Sequence, residues 1–456
     1  MTRAEARELC CSLFLEALKS LRVGPRLRNL MCCRDGVLEV GGDSYALSRF
    51  RTIRMVALGK AAIEMAETAE EILRRGGVGL NQPKAPGRRT RTGPRLQGIV
   101  VAPLPSFERQ RFEYFQAGHP YPDMQSFRAA EAVLTFLERC TREDLVLFLL
   151  SGGGSALLEK PINPSISLKD IRQFHEILVT CGASIEEINV LRKHYSAIKG
   201  GRLAEQAFPA TQITIYVSDV PEHLPSSVAS GPTMPDESTV EDCRQIARIY
   251  RLLKKFPRPI HALLQSGKIP ETPKPGLACF AKSRFYCLLS NRDGIEKLLR
   301  LAKARRVHAE ADVNCDEWHF QRAADYLLTR LEKLRQQDTP RPLLLVSGGE
   351  LSSPVAGQVG RGGRNQAFVL HCVPKISGKH VVVLSAGTDG VDGNSPAAGA
   401  IADGVSGARA RRLRMSPKQY LSRADSYRFF QKLGDAIITG PTGTNVRDLR
   451  LLLAYS

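Results

Sequence analysis

The 456-residue sequence predicts an α/β protein with mostly parallel sheets, and three observations carry that expectation. Short apolar runs recur at 53–58, 98–102, 145–150, 213–217, 284–289, 307–311, 343–346, 380–384 and 449–454. Runs that are hydrophobic at successive positions read as strands covered on both faces. Most of them stop abruptly at a loop of Gly, Ser or Asp, and a helical pattern usually follows. Alternation of strand and helix favours parallel pairing, and ligands then bind at the carboxyl ends of the strands, where the polar loops fall.

Composition narrows the class. Hydrophobic residues make up 43% and charged residues 24%, the balance of an ordinary globular chain large enough for two or three domains. No apolar run approaches the ~18–20 residues of a membrane span, so no membrane partner is expected. At the N-terminus Leu9, Leu13, Leu15 and Leu18 alternate with Glu5, Glu8 and Glu16, which fits an amphipathic domain helix. Those acids argue for a cytoplasmic protein, while the arginines leave a mitochondrial address open. The eleven cysteines form no C-x-x-C, so neither a zinc ribbon nor a redox pair is supported. The net charge of +19 raises nucleic acid as a partner, but the arginine is spread out. Its densest run, 84–95, is broken by Pro and Gly and reads as a surface loop. With no nucleic-acid module in sight, no nucleic-acid partner is expected.

In chain order, 53–58 runs into Gly59-Lys60-Ala61 and a helix over 63–73. Lys60 there suits a phosphate or substrate anion, or is an exposed helix lysine. The run 145–150 ends at Ser151-Gly152-Gly153-Gly154-Ser155; three consecutive glycines cost entropy unless backbone approach or positive φ demands them. Helices are expected over 169–181 and 186–206. The run 213–217 delivers Asp219, and 380–384 leads to Asp389 inside Gly387-Thr388-Asp389-Gly390. Each aspartate can hold Mg²⁺ or accept a proton, or merely cap a turn. Prolines gather from 256 to 275, giving a domain over 1–260, a linker over 261–280 and a second domain over 281–456. In that second domain, 343–346 meets Ser347-Gly348-Gly349-Glu350 and then Gly360-Arg361-Gly362-Gly363-Arg364-Asn365-Gln366. This pair of clusters is either an anion site at a helix start or a glycine-rich hairpin with solvated arginines. Glu350 could orient Arg364 or contact a sugar hydroxyl.

Several familiar machines are absent. The sequence has no G-x-x-x-x-G-K-[ST], no G-x-G-x-x-G, no kinase H-R-D or D-F-G, and Ser155 lacks the last glycine of a G-x-S-x-G elbow.

The ordered set of motifs resembles the type II glycerate kinases, whose C-terminal half is called the MOFRL domain. It is carried by Gly59-Lys60-Ala61, Gly118-His119-Pro120, the glycine run at 151–158, INVLRKHYSAIKGGRL at 188–203, Ser218-Asp219-Val220-Pro221, ASGPT at 229–233 and Ser290-Asn291-Arg292-Asp293. It continues through 347–350, GRGGRNQ at 360–366, GTDGVDG at 387–393, AAGA at 397–400 and TGPTGTNVRD at 439–448. The resemblance implies two α/β domains, the N-terminal one Rossmann-like, with the active site in the interdomain cleft. It implies ATP-dependent phosphorylation of D-glycerate to 2-phosphoglycerate, with ATP and Mg²⁺ as cofactors and Lys60, Arg364 and Asp389 as catalytic positions. Beside them, Ser151, Gly152, Gly153, Gly154, Ser155, Asp219, Asn291, Glu350 and Asn445 are expected to bind substrate or nucleotide, and Asp219 and Asp389 to hold the metal. A homo-oligomer is left open.

The chain departs from the family at Ala367, where an acid is usual, at Pro396, where aspartate is common, and at 221–225. Those departures support the alternative, a catalytically weakened paralogue that binds glycerate or nucleotide as a regulator.

Overall fold

The computed structural model describes residues 1–80, 93–105, 111–337, 342–353 and 360–456. The basic run at 84–95 lies largely outside the described residues, as does part of the stretch between Glu350 and Arg364. The chain divides into two compact units, Val23–Leu288 and a second that joins Met1–Arg22 to Leu289–Ser456. They are called here the parallel unit and the mixed unit.

The parallel unit opens with an antiparallel three-stranded sheet, β1 (Met31–Arg34), β2 (Val37–Val40) and β3 (Asp43–Ala46). Its main sheet contains β4 (Thr52–Leu58), β5 (Gly79–Leu80), β6 (Arg95–Ala102), β7 (Glu113–Gln116), β8 (Asp144–Leu150), β9 (Thr211–Val217) and β10 (Ser283–Leu289). Their order is β10-β9-β8-β4-β6-β5, with β7 also on β6. From β5 to β9 every neighbouring pair is parallel. β8, with sequence DLVLFLL, is buried at each position because both faces are covered. Val56, Leu58, Ile99, Val101, Val146, Phe148 and Leu150 pack with Ala129, Val133 and Leu137 of the helix Met124–Glu138. The helix Ala62–Arg75 packs on the same strands but outside that cluster, and so covers the other face. The chain leaves β4 toward β6 and later returns to its other side as β8. That reversal is a topological switch point, where strand-end loops part and leave a crevice.

The mixed unit holds β11 (His308–Ala311), β12 (Leu343–Gly349), β13 (Val381–Gly387), β14 (Gly399–Asp403), β15 (Ala436–Ile437) and β16 (Asp448–Ala454). The order is β11-β12-β16-β13-β14-β15. Here the expectation of a mostly parallel sheet needs correction. Only β11 and β12 run parallel, and the other neighbours are antiparallel. The last strand, with sequence DLRLLLA, inserts between β12 and β13 and starts at the end where they finish. Its residues are buried throughout, and an apolar run of that kind carries no signal of direction.

The expected linker at 261–280 falls inside the parallel unit. Pro257 is the N-cap of a helix, Arg258–Ser266, and the Pro273 carbonyl accepts from Asp236 N–H at 3.0 Å. The prolines there punctuate packed structure rather than a linker. The helix expected over 186–206 is two, Ile185–His194 and Arg202–Gln206, separated by Gly200 and Gly201 at positive φ. Among the described residues no helix is long and apolar enough to cross a membrane.

Candidate active site

In the parallel unit the switch point is built from β4 and β8, which lie in register with Leu58 opposite Leu150. The two loops that follow are tied together. Ser151 N–H donates to the Leu58 carbonyl at 2.9 Å, Lys60 N–H to the Gly152 carbonyl at 2.9 Å, and Ala61 N–H to Ser151 Oγ at 3.0 Å. Gly59 has φ +118°, and a Cβ there would lie 2.3 Å from Ser151 Oγ. The glycine run packs as closely. A Cβ on Gly152 would meet Asp219 Oδ2 at 2.2 Å, and one on Gly153 would meet His119 Cδ2 at 3.0 Å and Lys60 Cγ at 3.4 Å. Lys60, Ser151, Gly152, Gly153, Gly154, Ser155 and Asp219 therefore form one group at the strand ends. Among the described residues the Lys60 ammonium has no carboxylate partner.

Two further residues join this group. His119 lies beside Lys60, and partial loss of hydration together with the Lys60 charge holds its imidazole below the usual histidine range. Ser230 exchanges a hydrogen bond with Ser155 Oγ at 2.8 Å and donates to Asn189 Oδ1 at 3.0 Å. Ala229 and Ser230 adopt φ of 51° and 59°, a strained conformation for non-glycine residues of the kind that clusters at functional sites. The motifs that carried the resemblance contained both positions. Their roles were invisible because the contacts join segments far apart in sequence.

In the mixed unit the ends of β12 and β13 flank the start of β16, with Gly349 and Gly387 both opposite Asp448. Arg364 opens the helix Arg364–Cys372. Its Nε donates to Asp448 Oδ2 at 2.6 Å, and its Nη2 to Asp448 Oδ1 at 3.0 Å and Glu350 Oε1 at 2.9 Å. Burial alone would weaken the guanidinium's hold on its proton, but the Asp448 carboxylate outweighs it and the pKa is raised. Asp448 is completely buried, yet Arg364 holds it below the usual carboxylate range. Glu350 thus contacts the Arg364 guanidinium, the geometry that one of its two expected roles calls for. The Nη1 donors have no partner among the described residues.

The helix start is capped from the loop after β13. Asp392 accepts from Asn365 N–H at 3.1 Å and Gln366 N–H at 2.8 Å, and from both side-chain amides. A Cβ on Gly363 would sit 2.3 Å from Asp392 Oδ1, so this N-cap must be glycine. Burial, reinforced by Asp448, pushes Asp392 up to about 6 despite those hydrogen bonds. Asp389 is half-exposed beside Gly387 and Asp448, and its Oδ1 accepts from Val391 N–H at 3.1 Å. The guanidinium of Arg361 lies 5.1 Å from the centre of the Tyr427 ring, away from this ion pair's partners.

Asn291 and Asn445 stand differently. The Asn291 amide is wholly engaged by backbone, donating to the Val446 and Asp448 carbonyls at 2.8 and 2.9 Å and accepting from Gly349 N–H at 2.9 Å. It braces the strand ends. Asn445 Oδ1 accepts from Arg447 N–H at 3.0 Å, which folds the loop before β16. Ala367 is buried and Pro396 exposed, so neither departure disturbs the Arg364 ion pairs.

As for metal, no cluster of three or more His, Cys, Asp or Glu occurs among the described residues. Asp219 against the glycine run and, separately, Asp389 at the end of β13 are each a carboxylate of the kind that suits a hard cation keeping most of its shell from water and phosphate. Mg²⁺ needs only one or two protein carboxylates in that mode.

The switch-point lysine beside a glycine run in one unit, and the arginine preset by two carboxylates in the other, mark an α/β protein with basic side chains at its strand ends. Comparison with known proteins takes this further. Residues 9–265 match a domain of unknown function, DUF4147, and residues 343–448 match the MOFRL family. A D-glycerate 2-kinase of Thermotoga maritima is 36% identical over 87% of this chain and 89% of its own. A glycerate 2-kinase of Pyrococcus horikoshii is 32% identical over 100% and 99%. A relative from Agrobacterium vitis, 36% identical over 78% and 81%, carries a provisional hydroxypyruvate reductase name. The crystal structure of the Thermotoga maritima glycerate kinase superposes with a TM-score of 0.79 at 31% identity, covering 99% of this chain and 100% of that one. The chain belongs to the glycerate kinase family that carries the MOFRL domain.

Proposed function

We propose that the chain transfers the terminal phosphoryl group of Mg-ATP to the C2 hydroxyl of D-glycerate. The observation that carries this reading is Arg364. Its Nε and Nη2 are spent on Asp448 and Glu350, which fix the plane of the guanidinium and leave Nη1 for an oxyanion. Phosphoryl transfer asks little covalent chemistry of a protein and much of positioning and preset charge, which a locked arginine supplies.

The remaining roles follow from charge and reach. The Lys60 ammonium, unpaired among the described residues, neutralises a phosphate. The amides of Gly152, Gly153 and Gly154, with Ser151 and Ser155 at either end, cradle the nucleotide's phosphates. Asp389, half-exposed and without an ion pair among the described residues, accepts the proton of the attacking hydroxyl. Asp219 is the carboxylate against the glycine run, where Mg²⁺ would be held. When bound, the metal supplies neutralisation of the charge on the phosphate oxygens.

The test is a turnover assay with D-glycerate and Mg-ATP, reading ADP release. Enolase added alone converts 2-phosphoglycerate, and its failure to act on the product would move the phosphate to C3. ATP-independent NADH oxidation by hydroxypyruvate would overturn the kinase reading in favour of the reductase name. Calorimetric binding of glycerate without turnover would indicate the weakened paralogue.

A further inference from the structure

One arginine in the parallel unit is anomalous. Arg54, Arg202, Arg305, Arg335 and Arg450 each carry a buried nitrogen without a partner, but each also makes a hydrogen bond through another nitrogen. Arg192 shares the buried, unpartnered Nε, and its guanidinium has no hydrogen bond or ion pair among the described residues. A cation with lost hydration and no compensating contact is costly, and a protein keeps one where a ligand completes it.

Its surroundings are positively charged. Glu159, completely buried two residues after the short helix Gly154–Leu157, forms an ion pair with buried Lys199 and accepts from Ser196 Oγ at 2.8 Å. His175 Nε2 lies 3.5 Å from the same carboxylate. Burial opposes ionisation of Glu159, but Lys199 and His175 overcome it and hold the acid down to about 2. Arg192 feels Glu159 through space, and its charge bears in turn on Lys199 and His175. Burial lowers His175, Lys199 and Arg192 alike, and the two basic chains Lys199 and Arg192 share one carboxylate, Glu159. The cluster lacks one negative charge.

The place of Arg192 says where that charge comes from. It lies on the helix Ile185–His194, three residues after Asn189, and positions three apart share a helix face. Asn189 Oδ1 takes the Ser230 hydroxyl, and Ser230 joins Ser155 at the end of the glycine run. Ile188, four residues before Arg192, and Tyr195, three after it, lie in the apolar core, so Arg192 stands at the edge between that core and the Asn189 side.

We propose that Arg192 binds the carboxylate of the acceptor, a small 2-hydroxy acid, beside Ser155 and Ser230. A single negative charge answers the deficit, and a guanidinium fork matches a carboxylate. A polyphosphate carries more charge than this cluster lacks, and the glycine amides and Lys60 are better suited to it. The inference rests on the glycerate reading above and adds which residue recognises the acid.

The test compares wild type with Arg192→Met and Arg192→Lys in the full chain, with KM for D-glycerate and for ATP measured separately. Arg192→Met is expected to raise the glycerate KM at least tenfold while the ATP KM stays within twofold. Arg192→Lys, which keeps charge but loses the fork, should fall between. Thermal melting gives a second readout. Removing an uncompensated cation should raise the ligand-free Tm and abolish the shift caused by glycerate, whereas loss of a structural arginine would lower the Tm. A wild-type glycerate KM in Arg192→Met, or a rise confined to ATP, overturns the assignment while leaving the kinase reading intact. If wild type neither binds nor phosphorylates glycerate, that reading fails and this inference falls with it.

Discussion

At the scale of single residues, Arg364 and Gly59 show two ways in which chemistry fixes an amino acid. Replacing Arg364 by alanine would leave Asp448, which is completely buried, with only Arg450 at 3.8 Å as counter-charge; breaking such a pair costs ~3–5 kcal/mol. Arg364→Lys is the cleaner probe. Lysine keeps one charge against Asp448 but cannot bridge Asp448 and Glu350 in one plane. Turnover should fall by ~10²–10³, as for loss of one preset donor, with the fold intact by circular dichroism. Near-wild-type kcat in Arg364→Lys would contradict the role given to the fork. Gly59 is fixed by space. A side chain there would have to adopt φ +118° and place its Cβ 2.4 Å from the Ser151 carbonyl oxygen. Gly59→Ala should cost ~3 kcal/mol or more, read as a lower midpoint in denaturant unfolding. Sequence alone raised the glycines at 152, 153 and 154 as a backbone-approach signal, and the structure supplies what approaches them, Asp219, His119 and Ala229. It could not raise Ser230 or Arg192, because a serine or arginine in a helix-and-loop segment has no signature until its neighbours are known.

Elements come next, and here the helix Arg364–Cys372 is the informative one. The motif GRGGRNQ reads differently once folded: Gly363 makes room for Asp392, Asn365 and Gln366 fasten that cap, and Arg364 turns toward Asp448 and Glu350. The two-cluster stretch that fitted either an anion site or a hairpin is a strand end and a helix start. Asp392 gives that helix a pH dependence. Its folded pKa is raised to about 6, so folding favours the protonated acid. The stability it contributes is complete below the ordinary carboxylate range and is lost as pH rises through about 6, by at most ~3 kcal/mol. Asp392→Asn sacrifices hydrogen bonds at every pH but has nothing to titrate. The Tm advantage of wild type over this variant should therefore shrink between pH 5 and pH 7. A constant difference across that range would mean that Asp392 is not the titrating group. Direction of strands was the part of this element level that sequence hid. β12, β13 and β16 are each buried at every position, and alternation, the one pattern that betrays an antiparallel strand, is absent.

For the whole molecule, the decisive fact is that the mixed unit is discontinuous in sequence. The amphipathic helix expected at the N-terminus exists as Arg3–Ser20, but it belongs with Leu289–Ser456 and not with the residues that follow it. Nothing in a helical repeat of Leu and Glu names its partner, so a boundary drawn from prolines assigned it to the adjacent domain. Its apolar stripe, Ala6, Cys10, Leu13, Phe14 and Ala17, is buried at spacings of three and four residues. Arg7 fastens it, donating to Asp403 at 2.8 Å and Asp435 at 2.6 Å, two acids that are otherwise almost completely buried. Arg305, the C-cap of the helix Asn291–Ala304, pairs with Glu16. Removing residues 1–22 should therefore uncover apolar surface and leave Asp403 and Asp435 short of a cation, all within the mixed unit. Hydrogen exchange followed by mass spectrometry would locate the damage. Protection should fall across β13, β14 and β16, while β4, β6 and β8 of the parallel unit keep theirs. Arg7→Ala, which leaves the apolar stripe in place, should loosen the same strands less, because it removes the charge contacts alone. Loss of protection concentrated in β4 and β8 would return the N-terminal helix to the parallel unit and refute the division drawn at Arg22 and Leu289.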